Sequence, residues 1–470
     1  MLRPWLMQLK IDRNGTQAIY IQIADKIILY IKNGVLKAGE ALPGTRQLSI
    51  ELKVNRNTVV KAFDILLAEG WLSSSERKGT FVSMNLPIKK PVKAKGEQRI
   101  QTTEIFRNDL IFFDDGLPDT TCAPVNELSR AHRRIFSKKA KWQVMNLASE
   151  FGDINFREAI SKMLNFNRGM STTAYQICIT RGSQMALFLT AHSFLEKGDI
   201  VMVENPGFRP AWDAFRHAGA NLVPVPVDDK GICTEYIENI LKKHLVKAVY
   251  ITPHHQYPTT VTLSLERRLK LIELSNKYGF TIIEDDYDNE YHFGQRPVMP
   301  VSAHDGINNY VYIGTLSKLI APAIRIGYIY STVSFVKKVG ELRKIIDIQG
   351  DNIMEQSILE LIDSGDIRRH RKRMLGFYSE KKDYFASLLD TYLKDKITYK
   401  RPDGGLAFWL KPKMEVDLYQ VKKMAHSNLV GFYTPERFSF NESISGIRLG
   451  YASLSKENLE KGLRVLSKCL

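Results

Sequence analysis

KAVYIT (247–252), SLERRLKLIELSNKYG (264–279) and FTIIEDD (280–286) follow one another in this chain, and together they decide its fold. The first and last are short runs rich in β-branched and aromatic residues, the composition of buried strands. The middle run has helical spacing, with Leu265, Leu269 and Ile272 expected on the core face and Gly279 as its stop. Strand, helix and strand in this order make a right-handed crossover between parallel strands. The pattern repeats upstream in YQICIT (175–180), a helix from about 183 to 195, and DIVMVE (199–204); YVYIGT (310–315) adds another buried strand. An α/β unit with a mainly parallel sheet covered by helices is therefore expected from about 109 to the end. Ligands of such sheets bind at the carboxyl ends of the strands.

Polar groups collect at those ends. Arg181-Gly182-Ser183-Gln184 follows the 175–180 strand, where a glycine and free N–H groups at a helix start suit a phosphate. Glu284-Asp285-Asp286-Tyr287-Asp288 ends the 280–286 strand. So many acids repel one another unless a cation or a protonated base lies near; a metal site or an exposed acidic turn satisfies the pattern equally. After 310–315 come Thr315, Ser317 and Lys318, with Arg325 seven residues beyond the lysine. A lysine so placed can form a Schiff base beside a phosphate site.

Composition bounds the rest. The chain has 470 residues, 44% hydrophobic and 25% charged, enough for more than one core. It lacks an 18-residue apolar run, and MLRPWLMQLKIDRNG lacks the apolar stretch of a signal peptide. Cys122, Cys178, Cys233 and Cys469 are scattered without a CxxC pair, so reduced thiols are expected and no metal site. A cytoplasmic protein fits these features. Residues 1–100 hold 17 Lys and Arg against 8 Asp and Glu, over half of the net +16. A polyanion partner and a solvated basic face both satisfy that asymmetry.

The basic region reads as a small helical unit, residues 1–85, followed by a polar, basic linker, 86–108. Ile19, Ile23, Ile27 and Ile31 mark a first helix, and Thr45 is expected to cap a short second one. Asn55 caps a third helix whose core stripe is Val59, Ala62, Phe63, Leu66 and Leu67. Trp71-Leu72 and Thr80-Phe81-Val82 form a hairpin. The third helix opens with Arg56, Asn57 and Thr58, side chains able to meet base edges and phosphates. By pattern alone, a helix-turn-helix and a three-helix protein-interaction domain both fit.

Two resemblances sharpen these readings. GxLxxGxxLPxTRxLxxxLxVxRxTVxxAxxxLxxEGWLxxxxxxGTFV, from Gly34 to Val82, resembles the winged helix-turn-helix of the GntR superfamily. It implies double-stranded DNA as partner, contacted by Arg46, by Arg56, Asn57 and Thr58 at the recognition helix, and by Gly79 at the wing. Farther on, GSQ, ENPGF, TPHHQYPTT, EDDYDNEY, GTLSKLIAPAIRIGY and GIRLGY resemble fold-type I pyridoxal phosphate aminotransferases from about 110 to 470, with a smaller C-terminal α+β subdomain. That resemblance implies pyridoxal 5′-phosphate bound as a Schiff base to Lys318 and Asp285 on the pyridinium nitrogen. Tyr287 is then on the phenolic oxygen and Phe208 stacks on the ring. Ser183, Gln184, Thr315, Ser317 and Arg325 surround the phosphate, and Arg448 takes a ligand carboxylate. The choice of Asp285 over Asp286 rests on the resemblance alone. Two departures stand out: Tyr257 replaces the asparagine of NPTG, with His255 or Gln256 as substitutes, and Phe208 replaces a tyrosine. The whole chain resembles the MocR-type regulators. This implies a head-to-tail homodimer on a paired operator, with an amino compound or the cofactor itself as effector; a working aminotransferase carrying a DNA-binding domain is the rival.

Overall fold

The computed structural model describes residues 9, 11–13, 15–75, 79–87, 109–137, 141–294, 298–440 and 444–470. It divides into two compact units, Met1–Ile105 and Phe106–Leu470. Most of the expected linker, residues 88–108, lies outside the described residues.

In the first unit the helices Ile19–Lys32, Thr45–Glu51 and Arg56–Ala68 precede an antiparallel hairpin, Leu72–Ser75 with Gly79–Val82. Ile23, Ile27, Ile31, Leu48, Val59, Ala62, Phe63 and Leu66 form its core, closed by Leu72 and Val82 from the hairpin. Asn55 caps the third helix by accepting from the Asn57 N–H at 2.8 Å. The second helix corrects an expectation: its N-cap is Gly44, with no side-chain cap bond, and Thr45 is its first helical residue. Lys53, with φ +51°, turns the chain between these helices, and its carbonyl accepts from Arg13 at 2.9 Å.

The second unit is built on an eight-stranded sheet. Its order is Ile177–Thr180, Gly327–Tyr330, Tyr310–Thr315, Thr281–Asp286, Val246–Ile251, Ile200–Asn205, Asn221–Asp228 and Gly231–Ile232. The five strands from Tyr310–Thr315 to Asn221–Asp228 pair in parallel, and Gly327–Tyr330 runs antiparallel to both neighbours. Alternate side chains enter different cores. Val201, Val203, Ala248, Tyr250, Ile283 and Ile313 meet the helices Gly182–Phe194, Arg209–His217 and Val333–Ile346. Met202, Val249, Ile251 and Ile282 meet Thr234–Leu241 and Leu265–Tyr278. The period of two thus makes a three-layer unit.

The helix Leu265–Tyr278 is capped by Ser264 and stopped by Gly279 in the left-handed region. Its expected face is corrected: Leu265 is 68% and Leu269 43% exposed, and the buried stripe is Arg268, Leu271, Ile272, Leu274 and Ser275. A smaller α+β subdomain holds the antiparallel strands Ile397–Tyr399, Ala407–Pro412 and Ile447–Gly450. Ile111–Phe113, where the chain leaves the linker region, pairs in parallel with Val430–Phe432, and Ile111 and Phe113 enter that subdomain's core.

The capping geometry separates two substitutions. Asn55→Ala should weaken the first unit by about 1 kcal/mol, whereas Thr45→Ala should change it by less than about 0.5 kcal/mol. Amide hydrogen exchange of the Arg56–Ala68 helix in the intact chain checks this; equal effects would contradict the cap assignment.

Candidate functional site

Parallel strands place their last residues along one edge, and the groups singled out above meet there. Asp285 and Asp286 are the last two residues of one strand, so their side chains leave on opposite faces. Both are buried, and their surroundings differ. Asp286 Oδ2 receives Arg168 at 2.5 Å and the Tyr312 hydroxyl at 2.7 Å, and its Oδ1 faces the His254 ring as an ion-pair partner at 3.0 Å. Burial disfavours its charge, but Arg168 and His254 outweigh that and hold the carboxyl well below the ordinary range. Asp285 receives only the Tyr250 hydroxyl, on Oδ2 at 2.9 Å, while Oδ1 has no hydrogen-bond partner among the described residues. Burial pushes Asp285 up to about 7, the Tyr250 bond notwithstanding.

Lys318 lies three residues beyond the Tyr310–Thr315 strand, with Nζ 4.5 Å from the centre of the Tyr287 ring. Burial lowers its pKa, against the pull of Asp288, which favours the neutral amine. The Tyr287 hydroxyl donates to the His255 carbonyl at 2.8 Å and lies 3.4 Å from Arg448 Nη2. Arg448, 1% exposed, also donates to the carbonyls of Pro258 at 2.8 Å and Asp115 at 3.1 Å. Its guanidinium sits 4.9 Å from the centre of the Tyr257 ring, which meets Phe208 edge-on at 5.2 Å. Among the described residues no carboxylate pairs with Arg448.

The phosphate-type cradle is also assembled. Gly182, at φ +75°, opens the helix carrying Ser183 and Gln184; a Cβ on it would lie 2.5 Å from Arg325 Nη2. Arg325 itself takes φ +52°, a left-handed conformation costly for a side chain that bends the guanidinium to the helix start. Ser317 Oγ is buried and has no hydrogen-bond partner among the described residues. Two expected contributors are engaged elsewhere: the Thr315 hydroxyl donates to the Ile326 carbonyl at 3.0 Å and accepts from the Ser317 N–H, and the Gln184 amide donates to the Pro210 carbonyl at 3.2 Å. The orphaned Asp285 and Ser317 oxygens, the open helix start and Arg325 fit a phosphorylated pyridine aldehyde with one acid for its ring nitrogen and one cradle for its phosphate.

The structure also brings in residues that were not anticipated. Glu204, quoted in ENPGF without a role, is buried, and burial pushes it to about 7; it accepts from the Thr252 hydroxyl at 2.6 Å and from Gln256 at 3.2 Å. Gln256 is thus turned to Glu204, and the His255 ring pairs with Asp288 at 2.6 Å, so neither substitute for the missing asparagine is a free donor. Arg168 ends a helix like many arginines and carried no signal. Asp115 lay in view in FFDDG beside Gly116. In the first unit Arg46, Arg56, Asn57 and Gly79 are exposed and Thr58 half-buried, with Gly79 at φ +107°.

Comparison with known proteins supplies the family. Residues 119–466 match aminotransferase class I and II, and residues 19–82 match the gntR family of bacterial regulatory proteins. The probable rhizopine catabolism regulatory protein MocR of Rhizobium meliloti is 27% identical over 97% of this chain and 95% of its own length. The pyridoxine biosynthesis transcriptional regulator PdxR of Corynebacterium glutamicum is 27% identical over 83% and 82%. Kynurenine aminotransferase of Pyrococcus horikoshii, solved with PMP, superposes with a TM-score of 0.72 and 27% identity over 77% of this chain and 90% of that one. With its sheet, its strand-end lysine and the matched residues, this chain belongs to the pyridoxal phosphate-dependent aminotransferase class I and II family and carries a gntR-family helix-turn-helix domain ahead of it.

Proposed function

We propose that this chain is a transcription regulator whose first unit binds a double-stranded DNA operator and whose second senses an amino compound through pyridoxal phosphate. One observation carries the reading: a helix-turn-helix with exposed Arg56 and Asn57 opening its third helix shares a chain with a buried strand-end lysine beside Tyr287. A role on DNA places the protein in the cytoplasm, and a head-to-tail homodimer suits a paired operator.

When bound, the cofactor supplies an aldehyde that condenses with amines and a ring that withdraws electrons. Lys318 would hold the aldehyde carbon, burial lowering the pKa of its amine. Asp285 would hold the ring nitrogen's proton with the oxygen that lacks a partner, while Asp286 is already engaged by three neighbours. Tyr287 would face the phenolic oxygen and Phe208 the ring. Ser183, Ser317, Arg325 and the helix start would take the phosphate; the hydrogen bonds of Thr315 and Gln184 favour supporting roles for them. Arg448, buried with only neutral acceptors, suits the carboxylate of an incoming ligand. Such a ligand shifts DNA binding only through different affinity for two arrangements of the protein. An active aminotransferase is the second reading, favoured by the presence of the lysine, the Asp285 oxygen and Arg448 together.

Four variants and one titration test this. Lys318→Ala should abolish the visible band of bound cofactor and keep the protein's melting transition. Arg56→Ala should weaken binding to DNA fragments selected by the intact protein by about tenfold or more, with the cofactor spectrum unchanged. Asp286→Asn strands the buried Arg168 charge and should cost about 3–5 kcal/mol. Asp285→Asn should spare apoprotein folding and remove tight cofactor binding. Because folding raises the Asp285 pKa from about 4 to about 7, the apoprotein should lose stability as pH climbs through that window, and Asp285→Asn should flatten part of the loss. Titrating cofactor-loaded protein with amino acids, γ-aminobutyrate included, separates the two readings. A band that shifts and stays marks a sensor; repeated conversion to the amine form and back with a keto acid marks an enzyme.

A further inference from the structure

The wall beside Arg448 carries a carboxylate that the cofactor does not need. Asp115 accepts from Arg448 Nε through its backbone carbonyl, and its side chain accepts from the Tyr257 hydroxyl at 3.0 Å. Tyr257 is also the ring under the Arg448 guanidinium. The carboxylate of Asp115 therefore stands next to the group that would grip a ligand's carboxylate, fixed there by the residue that occupies the place of the NPTG asparagine. Among the described residues its one salt bridge is to Arg437, at 3.4 Å with the arginine side chain 44% exposed and laid over Tyr433 at 4.1 Å. A half-exposed pair of that length is screened by water and neutralises the carboxylate only in part. The neighbouring wall, Tyr257 with Trp409 and Phe438, is apolar. Asp114 and Asp288 add acids behind it, Asp114 bonded to Ser453 and the N–H groups of Gly116 and Leu117, Asp288 to His255.

We propose that Asp115 is a specificity-determining residue, which makes this site disfavour amino compounds with a second carboxylate and accept those whose distal end is neutral or cationic. The inference rests on the Lys318–Arg448 reading above and adds the ligand's charge class. One carboxylate is bound by Arg448; a second anion meets the Asp115 carboxylate, which already holds Arg437, and an apolar wall, whereas a distal ammonium is attracted. At the separations such a ligand spans, one full charge in a half-buried setting changes affinity by about tenfold or more.

Three amino acids of nearly equal length test it: L-lysine, L-norleucine and L-2-aminoadipate, titrated into cofactor-loaded protein with the shift of the visible band as readout. The wild type should bind 2-aminoadipate at least about tenfold more weakly than norleucine, and lysine no more weakly than norleucine. Asp115→Asn, which can still accept from Tyr257, should bring 2-aminoadipate to within about threefold of norleucine. Arg437→Gln, which removes the salt bridge to Asp115, should widen the gap. Equal affinities in the wild type, a gap unchanged in Asp115→Asn, or a gap narrowed by Arg437→Gln each overturn the inference and leave the Lys318 reading intact. A wild type whose band moves with no primary amine overturns both.

Discussion

Two carboxylates on consecutive residues, both out of water, can coexist only if at least one of them is neutralised, and Arg168 does that for Asp286. The ion pair is closed by His254 and Tyr312 and lies on the far side of the strand from Asp285. It takes one negative charge out of the site, so the remaining acid can be set by burial and by a single tyrosine hydroxyl. Around it the other groups follow: a lysine whose ammonium is discouraged by the same burial, and an arginine surrounded by neutral acceptors. Without Arg168 the strand end would hold two like charges competing for one proton.

Much of the architecture was legible before any coordinates. The runs 175–180, 247–252, 280–286 and 310–315 became strands within a residue or two, because continuous apolar runs closed by polar groups have few other uses in a parallel sheet. The first unit was equally plain, since Ile23, Ile27, Ile31 and the stripe from Val59 to Leu66 can be buried together in few ways. Choices between neighbours are less legible. Leucine composition points to Leu265 and Leu269 as core, but the helix turns Leu271 and Leu274 to the sheet, and the phase of a helix is set by what it packs on. A hydroxyl makes Thr45 the natural cap; the chain enters that helix one residue earlier, at Gly44.

The site divides the same way. Lys318, Asp285, Tyr287, Arg325 and Arg448 stand in runs whose order along the chain carries information, so they could be named from sequence. Arg168, Tyr250 and Glu204 act across gaps of 118, 35 and 48 residues, and nothing local distinguishes an arginine that neutralises a buried acid from one at a solvated helix end. Thr315 shows the reverse. Its position matched, yet its hydroxyl closes a turn onto Ile326 and Ser317, a backbone demand that a one-dimensional pattern does not record.

The strand Ile111–Phe113 gives the second unit a mechanical property. It is the first strand after the basic stretch, it is clamped between Val430–Phe432 and the small subdomain's core, and Asp114 and Asp115 follow it directly. Phe113 and the Asp115 backbone carbonyl that holds Arg448 are therefore only a few covalent bonds apart. A ligand held by Arg448 thus bears on the same short run of backbone that begins the second unit's fold.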